Sequence, residues 1–444
     1  MLRVNKHAAS RPMISYQDNN MSANPKSIYE ASCADDYDPN SMSVAKAREF
    51  IGKFLSPVQG ILRAPLRDAL GRVLAEDVIS PVNVPAHINS AMDGWAVRVA
   101  YLKSDGETLL LEAGSSFAGV AYGKPVNAGE CVRIMTGGVV PEGSDTVIMQ
   151  ERAKADGKKI SIAPGAKKGQ NVRYPGEDLK MGAVALPKGR VVRPAELGLI
   201  ASLGIGELAV HRPLRVAFFS TGDELRSIGT PLGEGQIYDS NRYTLHGMLT
   251  RMGCEVMDMG VIRDDPALLE AAFTQASQVA DVVITSGGVS VGEADFVKTI
   301  LTKIGEVVFW KIAMKPGRPL AYGKIGHAHF FGLPGNPVSV MVTFYQFVRE
   351  ALLALMGANP IPPLPTLKAT CASTIKKVPG RTEFQRAVLS QDESGSWTAR
   401  VTGDQGSGIL KSMSDANCFI ILNDATGNIE PGAVVNVQIM EGLI

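Results

Sequence analysis

The chain has 444 residues, 45 Lys+Arg against 44 Asp+Glu, a net charge of +1 and 45% hydrophobic residues; at roughly 100 to 200 residues per domain this is a globular protein of about two to four domains. Charge this balanced excludes the basic excess that a nucleic acid or an anionic membrane surface would require. Five dispersed cysteines with no C-x-x-C pair (Cys33, Cys131, Cys254, Cys371, Cys418) exclude a disulfide framework and a thiolate zinc site.

Residues 1–40 mix Ser, Asn, Asp and Lys without apolar periodicity and are expected to be a disordered tail. The opening MLRVNKHAASRPMIS has no apolar core of the signal-peptide kind, and no apolar run approaches the ~18 residues of a membrane span, so a cytoplasmic protein is expected. From 41 to 80 the apolar positions Ala45, Phe50, Ile51, Phe54, Leu62, Leu66, Ala69, Leu70, Val73 and Leu74 suit helices broken at Pro57 and Pro65. From 81 to 180 short apolar runs separated by Gly, Pro and Asp predict β structure. A helical pattern returns at Pro194–Leu203, so 41–80 and 181–213 read as one helical linker domain interrupted by a β-rich insertion.

Between 214 and 360 strands and helices alternate, with an N-cap Asp265 before Pro266 and a helix opened by Asn336-Pro337. This predicts a doubly wound, mainly parallel α/β domain, whose ligand lies beyond the carboxyl ends of the strands. The segment 361–444 reads as a small C-terminal β domain, giving an α/β multidomain fold.

Gly204-Ile-Gly206-Glu-Leu-Ala209 matches a dinucleotide pattern, but a helix precedes it and a strand follows Pro213, which is the wrong context. No Walker-type phosphate loop occurs, and the six histidines are scattered, with His327 and His329 in an alternating strand. Stronger signals sit at four strand ends. Thr221-Gly222-Asp223-Glu224 places two carboxylates at the rim. The glycine-rich turn Thr285–Gly292, with Ser286, Gly287, Gly288 and Gly292, can turn backbone N–H groups inward as an anion nest, and Asp295 stands where a carboxylate could hold a hard cation against a phosphate. Lys311, Lys315 and Arg318 beside two prolines form a rigid cationic loop suited to oxyanions, and Leu333–Ser339 adds a stiff turn and a hydroxyl. Each loop alone also reads as a turn with solvated charges. Together they describe a pocket for a phosphorylated ligand, a divalent cation and a second oxyanion.

Seven motifs in order resemble one family over residues 42–444: Asn89-Ser-Ala-Met-Asp-Gly94, Arg133-Ile-Met-Thr-Gly137, Gly176-Glu-Asp178, Ser220–Glu224, Ser286–Gly292, Lys315-Pro-Gly317 and Leu333–Pro337. They are similar to those of the MoeA molybdopterin molybdenumtransferases, which are related to the E domain of gephyrin. The resemblance implies insertion of molybdate into adenylylated molybdopterin with Mg²⁺ and release of AMP. It implies a homodimer with the active site across the interface, and the molybdopterin adenylyltransferase as a partner. On the same basis Asp295, Glu224 and Asp264 hold or act beside Mg²⁺, Lys311 and Lys315 stabilise oxyanions, and Ser286, Gly287, Gly288, Gly292, Arg318 and Ser339 bind substrate. Asp93, Thr136 and Asp178 would reach the site from the other subunit. Two positions depart from the family pattern, Trp95 where Tyr is usual and Arg318 where Lys is common; Arg offers a planar fork in place of a point charge.

Overall fold

Six apolar runs after Pro213 build one mixed sheet: β1 (Arg215–Thr221), β2 (Glu255–Ile262), β3 (Val282–Ser286), β4 (Gly305–Lys311), β5 (Pro319–Ile325) and β6 (Ala328–Leu333). The order is β2-β1-β3-β6-β5-β4. The pairings from β2 to β6 are parallel, while β5 runs antiparallel to both its neighbours. Strand side chains alternate, so each strand of a sheet covered on both faces must be apolar twice over. Accordingly Val216 and Phe218 enter one core while Ala217 and Phe219 enter the other.

The computed structural model describes residues 27–28, 41–288 and 296–440. The chain divides into two compact units, one of residues 77–187 with 194–207, the other of residues up to 76, 188–193 and 208 onward. The sheet belongs to the second. Its helices include α1 (Val44–Gly52), α2 (Ser240–Arg251), α3 (Pro266–Val279) and α4 (Phe296–Ile304), followed by a helical run that passes from Pro337–Thr343 through a π segment, Phe344–Val348, into Arg349–Leu355. Asp239 caps α2 and Asp265 caps α3, each carboxylate accepting backbone N–H bonds in the first turn. The run Pro337–Leu355 is long and apolar enough to cross a membrane, yet 83% of its most apolar window is buried in this core. Phe50 of α1 stands edge-on to Trp310, with ring centroids 4.9 Å apart. Fully burying such a ring stabilises by about 1.5–3 kcal/mol.

The same unit closes with a second six-stranded sheet formed by Thr366–Cys371, Thr382–Gln391, Trp397–Val401, Cys418–Leu422 and Val434–Ile439, together with the two-residue strand Met314–Lys315. The other unit holds a six-stranded sheet in which Gly94–Val97 lies between Thr146–Met149 and Glu130–Ile134, and it includes the helix Pro194–Ser202.

Three local expectations differ from the structure. Helix formation ends at Gly52; Leu62 lies in the strand Ile61–Pro65, paired with Glu207–His211, and only Leu66–Ala69 makes a short 3₁₀ turn. The i, i+4 spacing was helical, but Pro65 closes the strand, and Val73 and Leu74 find cross-strand partners in Val191 and Val210. His327 sits in the turn between β5 and β6, and only His329 is in the strand. Finally, the four loops do not all follow neighbouring strands: β4 is an edge strand, separated from β6 by β5, which pairs antiparallel with both.

Candidate active site

β1, β3 and β6 are adjacent and parallel, so the turns that follow them open on one rim, where a cavity of about 1050 Å³ lies. Glu224, Asp264, Ser286, Gly287, Gly288, Lys315, Arg318 and Ser339, all singled out in the sequence, line it. Lys311 is not in the lining: it ends β4 at the sheet edge, opposite Pro319. Gly292 and Asp295 lie outside the described residues.

The glycine turn is held by backbone geometry. Gly287 and Gly288 have φ of +91° and +69°, a region L side chains rarely adopt, and a Cβ on Gly287 would stand 2.6 Å from the Thr221 carbonyl oxygen. The Gly287 N–H donates to the Leu333 carbonyl at 3.1 Å, tying the β3 turn to the β6 turn. Asn241, in the first turn of α2, ties them again: its Nδ2 donates to Ser286 Oγ at 2.7 Å and to the Gly335 carbonyl at 2.6 Å. Buried beside these bonds, Thr221 Oγ1, Asp239 Oδ2 and Asn241 Oδ1 have no hydrogen-bond partner among the described residues. Buried polar atoms without partners carry a desolvation cost that a polar ligand removes. All three residues line the cavity.

The charges are divided. Asp264 has its pKa raised, first by desolvation and then by the negative charges of Asp223 and Glu224. A carboxyl whose folded pKa lies above its unfolded value of 3.8 lowers stability as pH rises through that interval. Asp264→Asn is therefore expected to stabilise the ligand-free chain at pH 7 by under about 1 kcal/mol, as befits a solvent-screened cluster, and to leave it unchanged at pH 3; thermal melts at the two pH values check this. The cations come from the β4–β5 connection. Met314–Lys315 pairs in parallel with Thr382–Glu383, and Lys315 Nζ lies 3.9 Å from the buried Glu383 carboxylate, which also accepts from Gln385 Nε2 at 2.6 Å. The closing sheet thus positions Lys315. It also contributes Arg381 and the turn Gln405–Gly408 to the cavity wall.

The sequence reading missed Asn241, Asp239, Arg381 and Gln405. The Asp239-Ser-Asn241 run at a helix start carried a signal, since its residue types belong to N-caps. Arg381 and Gln405 carried none, because only the pairing with Met314–Lys315 brings their sheet to the rim.

In the other unit, Asp93 Oδ1 accepts from the Thr136 backbone N–H at 2.7 Å and from Thr136 Oγ1 at 2.8 Å. These bonds, with Arg133 nearby, lower the Asp93 pKa despite its desolvation. The Asn89–Gly94 and Arg133–Gly137 loops are joined again by Gly137 N–H donating to the Ser90 carbonyl at 2.8 Å. Asp178 is exposed and makes no side-chain bond to either residue. Trp95 Nε1 donates to Glu112 at 3.0 Å, and the Arg133 guanidinium stands 4.4 Å from the Trp95 ring centroid, a cation–π contact. Thr136→Val removes the hydroxyl donor, so the Asp93 carboxyl should titrate closer to the ordinary carboxylate range, measured by NMR of its carboxyl carbon.

Comparison with known proteins gives three family matches in chain order. Residues 42–204 match the MoeA N-terminal region (domain I and II), residues 217–354 a probable molybdopterin binding domain, and residues 368–440 the MoeA C-terminal region (domain IV). The chain is 47% identical to a molybdopterin molybdenumtransferase of Haemophilus influenzae, over 84% of this chain and 92% of that protein. It is 34% identical to one of Bacillus subtilis, over 84% of this chain and 89% of that protein. A crystal structure of the molybdopterin biosynthesis MoeA protein of Pyrococcus horikoshii superposes with a TM-score of 0.77 at 29% identity, covering 90% of this chain and all of that one.

Proposed function

The chain belongs to the MoeA family of molybdopterin molybdenumtransferases, and from that premise we propose that it inserts molybdate into adenylylated molybdopterin, with Mg²⁺, and releases AMP. It is a transferase of molybdenum cofactor biosynthesis, with molybdopterin and molybdate as substrates. The observation that carries the finer reading is the cavity itself, acidic at Glu224 and Asp264 and cationic at Lys315 and Arg318, with polar atoms in its wall that have no partner among the described residues.

The residues present fit a hard divalent cation. Asp264 and Glu224 are oxygen donors, and desolvation together with the charges of Asp223 and Glu224 raises the Asp264 pKa. Asp295, as the third carboxylate, completes this assignment. Bound there, Mg²⁺ would neutralise phosphate charge and polarise a phosphoryl oxygen. The Ser286–Gly288 turn, its Gly287 N–H spent on the Leu333 carbonyl, offers the Gly288 N–H and the Ser286 hydroxyl to the phosphates, and Asn241 fixes that turn against Gly335. Lys315 and Arg318 hold the molybdate dianion beside the ligand's two sulfurs, with Ser339 at the same wall and Lys311 as a more distant charge. Two Mo–S bonds then form as one molybdate oxygen leaves as water with the thiol protons. Water opens the phosphoanhydride and AMP departs.

The test is direct: purified chain, adenylylated molybdopterin, molybdate and Mg²⁺ should yield AMP stoichiometric with finished cofactor, and absence of AMP refutes the reading. We further place the partner subunit's Asp93, Thr136 and Asp178 at this site in a homodimer, supplied by the molybdopterin adenylyltransferase. Mixing inactive Asp93→Asn and Lys315→Ala chains should then restore about a quarter of wild-type turnover, since mixed dimers hold one intact site. No restoration after subunit exchange would place Asp93 and Lys315 in the same subunit's site or in none.

A further inference from the structure

A second cavity, of about 400 Å³, opens in the same unit at the amino-terminal end of the sheet, the pole opposite the active site. Pro213, just before β1, lines it, and so do the end of α2 and the helix Arg349–Leu355. Four arginines converge on its wall: Arg72, Arg212, Arg251 and Arg349. Against them stand Asp68 in the lining and Asp281, which binds Arg212 through two hydrogen bonds of 2.7 Å. Arg72, Arg251 and Arg349 make no ion pair among the described residues.

Arg349 is the telling residue. It is only 6% exposed, and among the described residues its guanidinium has one acceptor, the Pro362 carbonyl at 3.0 Å. A buried cation that makes no ion pair is costly, and burial pulls its pKa down, offset in part by the nearby charge of Glu350. Another wall residue, His211, has a buried Nδ1 with no hydrogen-bond partner among the described residues. The helix ends here do not supply the missing negative charge. The final carbonyls of α2 accept from Met252, Gly253 and Cys254 N–H, and those of Arg349–Leu355 accept from Met356, Gly357, Ala358 and Val58 N–H. Leu70, Val73, Val191, Leu353 and Met356 give the wall apolar surface. A cavity of this size with an apolar wall and a few converging charges has the form of a small-molecule site.

We propose that this cavity binds a phosphate monoester carrying an apolar body, its dianionic head between Arg72, Arg251 and Arg349 and its body against Leu353 and Met356. Arginine forks suit phosphate oxygens bidentately, and the head supplies the direct ion partner that Arg349 lacks among the described residues. The site is separate from the catalytic cavity and shares no residue with it.

Calorimetric titration of the full chain carrying Lys315→Ala, which weakens anion binding in the catalytic cavity, isolates this site. Phenyl phosphate should bind at one site per chain, and inorganic phosphate at least tenfold more weakly for want of the apolar body. Arg72→Gln with Arg251→Gln, both at the solvent side of the cavity, should weaken phenyl phosphate at least tenfold while the melting temperature of the free chain stays unchanged. Absence of saturable phenyl phosphate binding, binding indifferent to the arginine pair, or equal binding of uncharged benzyl alcohol would each overturn the proposal.

Discussion

Lys315→Ala is expected to lower kcat/KM for molybdate insertion by about 10²–10³, the range found when one charge-stabilising donor is removed from a water-poor site. The ammonium lines the cavity, and its stem is fixed because Met314–Lys315 is a strand of the closing sheet. Glu383, almost wholly buried, holds the ammonium at 3.9 Å without fully neutralising a half-exposed cation. Two controls separate charge from position. Lys315→Arg keeps the charge but replaces a compact ammonium with a planar fork, and should recover only part of the rate. Glu383→Gln leaves the ammonium in place but loosens its anchor, and should raise KM for molybdate more than it lowers kcat. Steady-state kinetics with varied molybdate read all three, and an unchanged kcat/KM for the alanine variant would remove Lys315 from the site.

Gly94→Ala should destabilise its unit by roughly 3 kcal/mol or more, as overpacking against backbone does. Gly94 pairs on one side with Met149 and on the other with Ile134, and an added Cβ would overlap the Ile148 carbonyl oxygen. A side-chain end can swing aside, but a strand backbone cannot move without breaking its ladder. The neighbouring Asp93 would lose its bonds to Thr136 together with the strand. Limited proteolysis should cut within 77–187 while the unit carrying the two cavities stays intact, and calorimetry should show one transition moved down. Wild-type melting in this variant would mean that the strands separate more easily than their pairing indicates.

Much of the candidate site was legible in the sequence because its turns are local. The turns at Thr221–Glu224, Ser286–Gly288 and Leu333–Ser339 each combine a strand end, a glycine or proline and a polar group within a few residues, and adjacent parallel strands bring such turns together. Asp93 and Thr136 were singled out only through family resemblance, and their pairing was not legible, since the two residues are 43 positions apart and joined by hydrogen bonds that no spacing rule predicts. The helical reading of Leu62–Leu74 failed where periodicity met β-bridges to Val191 and Val210 from distant sequence.

Sequence alone determined the family, the order of elements from 214 to 360 and the residue types able to hold phosphate, cation and oxyanion, because helix caps, strand runs and glycine turns are written in adjacent residues. Tertiary structure alone decided which cation faces the cavity. Lys311 and Lys315 are four positions apart in one loop, yet β5 inserts between β4 and β6 and leaves Lys311 at the edge, while pairing with Thr382–Glu383 draws Lys315 to the wall. The arginines of the second cavity, from Arg72 to Arg349, likewise meet only in the fold, since long-range packing brings together charges that the chain keeps far apart.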